Sequence, residues 1–425
     1  MILLKEHQKI DPDILADVSL DDLRCRISYD TRRFEPSKLN LIRYEFDPAA
    51  GRDGFYSYYR IGAEWIDSAQ SRSLIVTPKI QNIDFLEIFI TCLSTAESND
   101  SFSDIYDIDF EVRPVRSRSL SSILSPLLVV QLLMAVSRIV SRGLRRGYVS
   151  RAGNLPKVKG RVDIRRNEQL NIITGHRERV FCRYDEYSAD IPENRVLKRA
   201  LHIARDMIAL MRDHRVYSTL AAMCNRCISA FSCVSDSFDC KMPVVKSNKL
   251  YRDYSDALRI AAMVLRRQDI AISRHDNQPD EYVPVFRIDM ALLFEHYALA
   301  VMRRTFSRRA VQYQVAGYGG RFVADFLLDT GRHRAIVDTK YIDGISATVA
   351  KADYIKQLSA YARDKRLLRA LGYDTTDDTT LPIVPCILIY PVTSHTILDA
   401  DTLFNHPVHE TVNFYTCPLS IPIIR

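Results

Sequence analysis

The stretch VADFLLDTGRHRAIVDTKYI, residues 323–342, decides the fold of the last third of the chain. Two apolar runs flank the turn Asp329-Thr330-Gly331, which is a strong signal for a hairpin of paired strands. Asp325 lies on the first predicted strand, and Asp338 and Lys340 lie on the second. Residues two apart on a strand point to the same face, so two carboxylates and an ammonium are predicted to converge.

This group of charges has two interpretations. A Mg²⁺ ion prefers carboxylate oxygens and can bridge them to a phosphate, and Mn²⁺ can replace it on ligand chemistry alone. Lys340 would then position the attacking water or stabilise charge that develops on the phosphorane. The alternative is a surface ion pair between Asp338 and Lys340. Because the strand is apolar up to Asp338, an unpaired carboxylate there would be costly, and either a metal or an ion pair is required.

Two helices that flank the hairpin carry polar residues on faces predicted to pack. Glu295 shares a helical arc with apolar residues and is expected to need a cationic partner. Gln357 and Tyr361 belong to a stripe at helical spacing that also contains Tyr354 and Leu358. Gln357 is equally well explained as a hydrogen-bonded core amide.

Residues 281–425 are predicted to form a compact α/β module, because mixed strands are flanked by two helices. The predicted elements are a helix at Phe286–Thr305, strands at Arg309–Val315, Phe322–Leu328 and His333–Asp338, a helix at Asp353–Leu371 and a strand at Val384–Tyr390.

Residues 116–280 are predicted to be mainly helical, with apolar residues at helical spacing. The predicted helices are Ser121–Arg146, Asn194–Arg212, Leu220–Phe231 and Tyr254–Arg267. Arg138–Arg166 is a strongly basic stretch in which Asp163 is the only acidic residue. The positive electrostatic potential of this stretch would attract a polyanion such as nucleic acid, but a solvated basic surface explains the charge equally well. The candidates for contact with DNA or a partner are Arg145, Arg146, Lys157, Lys159 and Arg161.

Residues 1–115 are predicted to form a small β-rich domain, with binding or assembly as its default role. Short runs of aromatic and branched residues predict strands at Leu41–Phe46, Phe55–Ile61, Trp65–Asp67 and Ser73–Pro78, and one helix is predicted at Phe85–Leu93. The chain as a whole is therefore expected to be a multidomain α+β protein.

Composition sets further limits. A chain of 425 residues with 47% hydrophobic and 26% charged residues is expected to fold as two or three domains. The start has too short an apolar stretch for a signal peptide, and the apolar run Ile123–Val136 is shorter than a membrane span, so a cytoplasmic location is expected. Nine cysteines in no regular framework indicate reduced thiols. Zinc bound by Cys224, Cys227, Cys233 and Cys240 is the alternative.

The order Glu295, Asp325, Asp338-Thr339-Lys340, Gln357 and Tyr361 resembles the PD-(D/E)xK nuclease superfamily in its Q-x3-Y variant. The resemblance covers roughly the last third of the chain, with Ala324 where the motif often has proline. It implies a restriction-endonuclease-like fold in which Glu295, Asp325 and Asp338 hold Mg²⁺. It also implies that Lys340 assists the attacking water, and that Gln357 and Tyr361 support the site or nearby DNA.

The middle of the chain is similar to the McrC family, the nuclease subunits of the McrBC modification-dependent restriction systems. The resemblance rests on VKGRVD at 158–163, CRYDEYSAD at 182–190 and ENRVLK at 193–198. It implies a McrB-like AAA+ hexamer as partner, which hydrolyses GTP and recognises modified cytosine in DNA. GTP then belongs to the partner, and the sequence contains no GxxxxGK[ST] motif.

The stretch YDEYSADIPENR at 184–195, which includes part of this resemblance, has two interpretations. Its charged residues, among them Asp190 near the N-cap of the following helix and Arg195, are predicted to form a network that fixes the loop before that helix. A direct role in partner activation or DNA contact is the alternative. Two further hypotheses for the chain are a non-cleaving subunit that stimulates the partner GTPase and a nuclease that works without a motor.

Overall fold

In a computed structural model of the chain, the two strands around Gly331 form the predicted hairpin, with Phe326 opposite Val337 and Asp329 opposite Arg334. The structure describes residues 1–15, 41–47, 52–67, 69–95, 105–109, 112–237, 252–273, 282–320, 322–342, 352–377, 381, 383–408 and 411–424.

The described helices run in chain order as follows: α1 Pro12–Leu15, α2 Phe85–Thr95, α3 Arg118–Arg142, α4 Ile164–Asn167, α5 Pro192–Ala209, α6 Tyr217–Ala230, α7 Arg252–Ser273, α8 Met290–Phe306, α9 Ala352–Tyr361 and α10 Lys365–Ala370. A π-helical turn, Glu168–Ile172, follows α4.

The described strands are β1 Ile2–Lys5, β2 Ile42–Asp47, β3 Arg52–Ser57, β4 Arg60–Trp65, β5 Ser73–Thr77, β6 Tyr106–Asp109, β7 Val115–Arg116, β8 Gly147–Leu155, β9 Arg161–Val162, β10 Val180–Ser188, β11 Tyr282–Val283, β12 Val285–Asp289, β13 Val311–Ala316, β14 Val323–Asp329, β15 Arg334–Thr339, β16 Cys386–Val392 and β17 Phe414–Ser420. Helices and several sheets together confirm the expected α+β class.

The chain divides into two compact units. The first joins Met1–Leu127 with Ser273–Arg425, and the second is Leu128–Ile272. The first unit therefore combines the first and third predicted segments with both ends of the middle one.

One sheet of the first unit has the strand order β1-β5-β4-β12-β6. Its strand β12 corrects the prediction of a helix from Phe286, because α8 begins only at Met290. Phe286 pairs with Ala63 on one side and Ile108 on the other, so distant segments hold it extended. Asp289 then caps α8 by accepting a hydrogen bond from Leu292 N at 3.1 Å.

The second large sheet of this unit has the order β13-β14-β15-β16-β17. Strands β13 to β15 are antiparallel, whereas β15, β16 and β17 run parallel. Strand β17 was not predicted. Leu358 and Tyr361 of α9 and Leu367 of α10 are buried in the same apolar cluster as Leu327 and Ile336 of the sheet.

Two further predicted elements are divided in the structure. The helix predicted at Asp353–Leu371 is two helices, because Asp364 caps α10 by accepting hydrogen bonds from Arg366 N and Leu367 N. The strand predicted at Phe55–Ile61 is broken between β3 and β4, and Trp65 ends β4 rather than starting a strand of its own.

The second unit contains α5, α6 and α7 as predicted, but it also contains the sheet β8-β10-β9. The expectation of a mainly helical region therefore missed two nine-residue strands, which pair antiparallel from Val180 opposite Leu155 to Ser188 opposite Gly147. Alternation of polar and less polar residues along β10 was a usable signal for this strand.

One described helical stretch, Ile123–Arg142, is long and apolar enough to cross a membrane, and 72% of its apolar window is buried inside the protein. This stretch is longer than the apolar run Ile123–Val136. A buried core helix can be as long and as apolar, so the length and composition of this helix are weak evidence for a membrane span.

The predicted zinc ligands lie partly on α6. Cys224 and Cys227 are buried on this helix, and Cys224 Sγ lies 3.6 Å from Leu201 O. Cys240 lies outside the described residues. In the part of the chain that the structure describes, no three Cys, His, Asp or Glu side chains are grouped to hold zinc.

Candidate active site

The hairpin brings Asp325 of β14 and Asp338 of β15 to the same end of the sheet. Its register, Phe326 opposite Val337, continues by one residue to set the two aspartates opposite each other. Asp325 Oδ2 accepts hydrogen bonds from Thr339 N at 2.7 Å and from Thr339 Oγ1 at 2.8 Å. Asp338 is buried, with 1% of its side chain exposed. Because Asp325 is half-buried, the end of the hairpin is an acidic site that is partly shielded from solvent.

Lys340 lies beside Asp338, as the spacing of two predicts. Its Nζ is 2.5 Å from Asp338 Oδ2, and its ammonium lies 5.6 Å from the ring centroid of Tyr354. Both Asp338 oxygens are buried, and within the described ranges Oδ2 has only the Lys340 contact and Oδ1 has no partner. A buried carboxylate oxygen without a donor costs free energy unless a cation or a proton satisfies it.

Glu295 of α8 lies close enough to Asp325 and Asp338 for their charges to act on it. Its Oε1 accepts a hydrogen bond from Gln314 Nε2 at 3.1 Å, and Tyr313, whose hydroxyl lies 3.3 Å from His296 Nε2, is a further neighbour. Among the described residues no lysine, arginine or histidine forms a salt bridge with Glu295, so its expected cationic partner stays a prediction. Gln314 of β13 donates to this carboxyl group.

Burial dominates the electrostatics of the three carboxyl groups. It raises the pKa of Glu295 to about 8, and the charge of Asp325 adds to that rise. Burial and then Asp325 also raise the pKa of Asp338 to about 7, although Lys340 opposes them. Burial raises the pKa of Asp325 as well, against the charge of Lys340 and the two bonds from Thr339. Each carboxylate therefore gains from an added positive charge.

Lys340 is the one cation among these groups, and its pKa is raised. Burial by itself lowers the pKa of Lys340. The charge and hydrogen bond of Asp338 and the charge of Asp325 raise this pKa and outweigh the effect of burial. Lys340 therefore stays protonated at neutral pH. One ammonium cannot balance three ionised carboxylates, whereas a divalent cation would.

The donor set fits Mg²⁺ in kind, because it consists of hard carboxylate oxygens and includes the unpartnered Asp338 Oδ1. As the side chains are placed, however, no three Asp, Glu, His or Cys residues among those described are grouped closely enough to hold an ion. The suitable oxygen ligands and the absence of a three-residue cluster are compatible if Mg²⁺ binds one or two protein carboxylates together with water and phosphate oxygens, as it usually does in proteins.

Gln357 and Tyr361 lie at the same end of the sheet. Gln357 Nε2 donates to Tyr361 OH at 2.7 Å. Burial raises the pKa of Tyr361, and the charges of Asp338 and Asp325 contribute to that rise, so the hydroxyl group is near both aspartates. The structure thus brings together all six residues named from the sequence. Their catalytic and metal-binding roles stay predictions.

Sequence reasoning missed three neighbours of the site. Thr339 stood between Asp338 and Lys340 in the quoted motif, and its hydroxyl could have been noticed there. No sequence pattern indicated Tyr313 or Gln314, because their position near Glu295 depends on how β13 packs beside α8. Gln314 has a φ of 48°, an unusual backbone conformation for a residue other than glycine.

The N-terminal sheet also reaches the residue that follows Lys340. Lys79 Nζ donates to Tyr341 O at 2.5 Å and lies 4.1 Å from the Tyr341 ring centroid. Glu6 Oε2 accepts from Lys79 N at 2.9 Å, and the Glu6 carboxyl group also lies near Tyr341. Burial raises the pKa of Glu6 to about 7. Nothing in the sequence linked these residues to the hairpin.

In the second unit, carboxylates pair with part of the basic stretch. Arg145 contacts Glu193 at 3.1 Å, and Lys159 contacts Glu186 at 3.5 Å. Arg146, Lys157 and Arg161 are exposed. The predicted contacts with DNA or a partner therefore stay predictions, and Arg145 and Lys159 already have intramolecular partners.

Asp190 forms the network predicted around the start of α5. Arg195 Nε and Nη2 donate to its two oxygens at 2.8 and 2.9 Å, and Ser235 N donates to Oδ1 at 2.9 Å. Arg151 Nη2 also lies 3.3 Å from Asp190 Oδ2. The N-cap residue is Ile191, so Asp190 stands one position before the cap. The predicted network around Asp190 is therefore present, and the alternative role in partner activation or DNA contact stays a prediction.

Comparison with known proteins identifies the family. The model of the McrBC 5-methylcytosine restriction system component family matches residues 65–365, a span that contains all six site residues. No curated protein matches the chain. A solved assembly of Thermococcus gammatolerans McrB AAA+ hexamers with bound McrC is similar, with 14% identity and a TM-score of 0.41, over 99% of this chain and 94% of the other.

The Thermococcus gammatolerans McrBC complex solved by cryo-electron microscopy also matches, with 13% identity and a TM-score of 0.31, over 71% of this chain and 87% of the other. At these TM-scores neither structure adds to the family assignment. The family match itself spans well over half of the sequence and includes the hairpin, Glu295 and the Q-x3-Y pair. The chain belongs to the McrBC 5-methylcytosine restriction system component family.

Proposed function

We propose that this chain is a McrC-like nuclease subunit with a PD-(D/E)xK module, which cleaves DNA by Mg²⁺-dependent hydrolysis of phosphodiester bonds. The observation that carries the proposal is the convergence of Asp325, Asp338 and Lys340 at one end of the hairpin, with Glu295 close by. Buried carboxylates of raised pKa beside a protonated lysine are unusual in a purely structural role.

Glu295, Asp325 and Asp338 would hold Mg²⁺, or Mn²⁺ through the same oxygen chemistry. When bound, the ion polarises the scissile phosphate and lowers the pKa of the attacking water. Thr339 fixes the orientation of the Asp325 carboxylate through two hydrogen bonds to one oxygen. Lys340 holds its proton and can orient the water or stabilise negative charge on the phosphorane.

Gln357 and Tyr361 lie on α9, with the tyrosine hydroxyl group near the carboxylates. Their hydrogen bond fixes the direction of the tyrosine hydroxyl group. A neutral hydroxyl near two aspartates can donate a hydrogen bond to a phosphate oxygen without adding charge. These two residues therefore support the site or nearby DNA.

The partner is proposed to be a McrB-like AAA+ hexamer that hydrolyses GTP and recognises modified-cytosine DNA. Family membership supports this assignment, and the related Thermococcus gammatolerans assembly contains McrB AAA+ hexamers with bound McrC. GTP would act only through the partner.

The test combines the chain with its McrB-like partner, GTP, Mg²⁺ and plasmid DNA that carries modified cytosine. Wild type is expected to produce double-strand breaks, whereas Asp338→Ala and Lys340→Ala are expected to abolish cleavage with near-normal folding and partner binding. Retained Mg²⁺-dependent cleavage in both variants would remove the site assignment.

The same mixture separates the other two hypotheses. Stimulated GTP turnover without any DNA scission by wild type would identify a non-cleaving activator of the partner. Cleavage of the same DNA without partner or GTP would identify a nuclease that works without a motor.

A further inference from the structure

Exposed aromatic side chains border the candidate site on the loop between β13 and β14. Tyr318 is 70% exposed, and Phe322 and Val323 are also solvent-exposed. Val323 lies two residues before Asp325 on the same face of β14, roughly 7 Å along the strand. The loop therefore adjoins the acidic end of the hairpin. An exposed tyrosine is a common element of binding surfaces.

Hydrogen bonds hold this loop in place. Tyr318 N donates to Asp364 Oδ2 at 2.5 Å, and Arg366 Nη1 lies 3.4 Å from Gly317 O. A Cβ atom on Gly317 would come within 2.4 Å of Asp364 Oδ2, so the close approach requires glycine. Phe322 packs edge-on against Tyr361, with 6.0 Å between ring centroids. Tyr318 is thus presented from a fixed backbone.

Cationic side chains surround the anchor of this loop. Arg363, Lys365 and Arg366 are exposed neighbours of Asp364 at the start of α10. Within the described ranges, neither arginine forms a salt bridge with a carboxylate, unlike Arg145 and Arg151 of the second unit. Arginines whose charge is not balanced by a carboxylate favour a polyanionic ligand when they lie next to a site for phosphate chemistry.

We propose that Tyr318, Arg363, Lys365 and Arg366 bind the DNA backbone beside the phosphodiester bond to be cut. The inference deepens the proposed function and rests on it. The cationic side chains would contact phosphates, and the Tyr318 ring would pack against a sugar or a base. The fixed loop sets the distance between these contacts and Asp325, so the surface also places the scissile phosphate at the carboxylates.

The test measures fluorescence anisotropy of a labelled DNA duplex with the full chain in Ca²⁺ and no Mg²⁺, at several salt concentrations. Arg363→Ala/Arg366→Ala is expected to raise Kd about tenfold or more and to reduce the slope of log Kd against log salt by about 2. Tyr318→Ala is expected to raise Kd about tenfold with an unchanged slope. Arg332→Ala is the matched control, because Arg332 is an exposed arginine in the turn at the opposite end of the hairpin.

All variants are first checked for an unchanged melting temperature. If the double variant binds DNA with the same Kd as Arg332→Ala, the cationic part of the proposal is overturned. If Tyr318→Ala binds DNA with the same Kd as Arg332→Ala, the aromatic part is overturned. Failure of the proposed function gives a different result: the chain would bind DNA through these residues and yet never cleave it with partner, GTP and Mg²⁺.

Discussion

The carboxylate of Asp325 accepts two hydrogen bonds from Thr339 on the neighbouring strand, one from the backbone N–H at 2.7 Å and one from the hydroxyl at 2.8 Å. Both end on Oδ2, so β15 orients a carboxylate that belongs to β14. Thr339 also separates Asp338 from Lys340. One residue therefore connects all three charged groups at the end of the hairpin.

Replacing Thr339 with valine removes the hydroxyl bond and keeps the shape and the backbone bond. Because a hydrogen bond to a charged group contributes about 1.5–3 kcal/mol, Thr339→Val is expected to slow DNA cleavage at least tenfold. Thr339→Ser keeps the hydroxyl group and is expected to cleave at close to the wild-type rate. Equal rates for the serine and valine variants in a single-turnover assay would show that this bond does not serve catalysis.

Lys79 is expected to hold the backbone that follows β15, directly after Lys340. Lys79→Met removes the bond to Tyr341 O and is expected to slow cleavage several-fold and to speed amide hydrogen exchange at residues 339–342. Lys79→Arg should restore part of the protection. Lys5→Met, which changes an exposed lysine at the end of β1, is the control. Exchange at 339–342 that is the same in Lys79→Met and Lys5→Met would remove this role.

The buried acid Glu6 predicts a measurable pH dependence of stability. Burial raises its pKa from 4.5 to about 7, with Lys79 and Tyr341 opposing the rise and Asp289 adding to it. A carboxyl group whose folded pKa is raised stabilises the fold below its unfolded pKa, and that stability is lost as pH rises through the folded pKa.

Glu6→Gln stays neutral at every pH, so its stability relative to wild type should increase between pH 4.5 and about 8. The full change is on the order of 3 kcal/mol, since one pKa unit corresponds to about 1.4 kcal/mol. Urea unfolding at pH 4.5, 6, 7 and 8 measures the difference. A difference that is constant over this range would contradict the raised pKa.

The local part of the structure could be predicted from the sequence. The turn at Gly331 and the two-residue spacing of Asp338 and Lys340 depend on contacts within a few residues, so strand alternation was enough to predict them. Glu295, Gln357 and Tyr361 were found because a polar residue on an apolar helical face is conspicuous in the sequence. The resemblance to a nuclease motif then joined these fragments in one order.

The remaining features depend on contacts between distant residues. Phe286–Asp289 was predicted as the start of a helix, but pairing with β4 and β6 makes it part of a strand. Lys79 is separated from Tyr341 by 262 residues, and no periodicity reports such a contact. For Glu295 the fold supplies Gln314 as a hydrogen-bond donor, because β13 passes beside α8, and no sequence pattern indicates that contact.

Arg195 is expected to be important for the stability of the second unit. It donates two hydrogen bonds to the buried Asp190, so Arg195→Ala would leave a buried carboxylate short of its main partner. The expected loss of unfolding free energy is about 3 kcal/mol. Arg199→Ala, at an exposed position on the same helix, is the control in urea unfolding. Equal stability of the two variants would show that the network around Asp190 tolerates the loss of Arg195.

The claim that Glu295, Asp325 and Asp338 hold a divalent cation is tested most directly by equilibrium binding of Mn²⁺, followed by electron paramagnetic resonance. Wild type is expected to bind Mn²⁺ in a manner that Mg²⁺ competes with, and Asp325→Asn and Asp338→Asn are expected to weaken that binding at least tenfold without loss of folding. Mn²⁺ binding that is absent from wild type, or the same in wild type and both variants, would contradict the account.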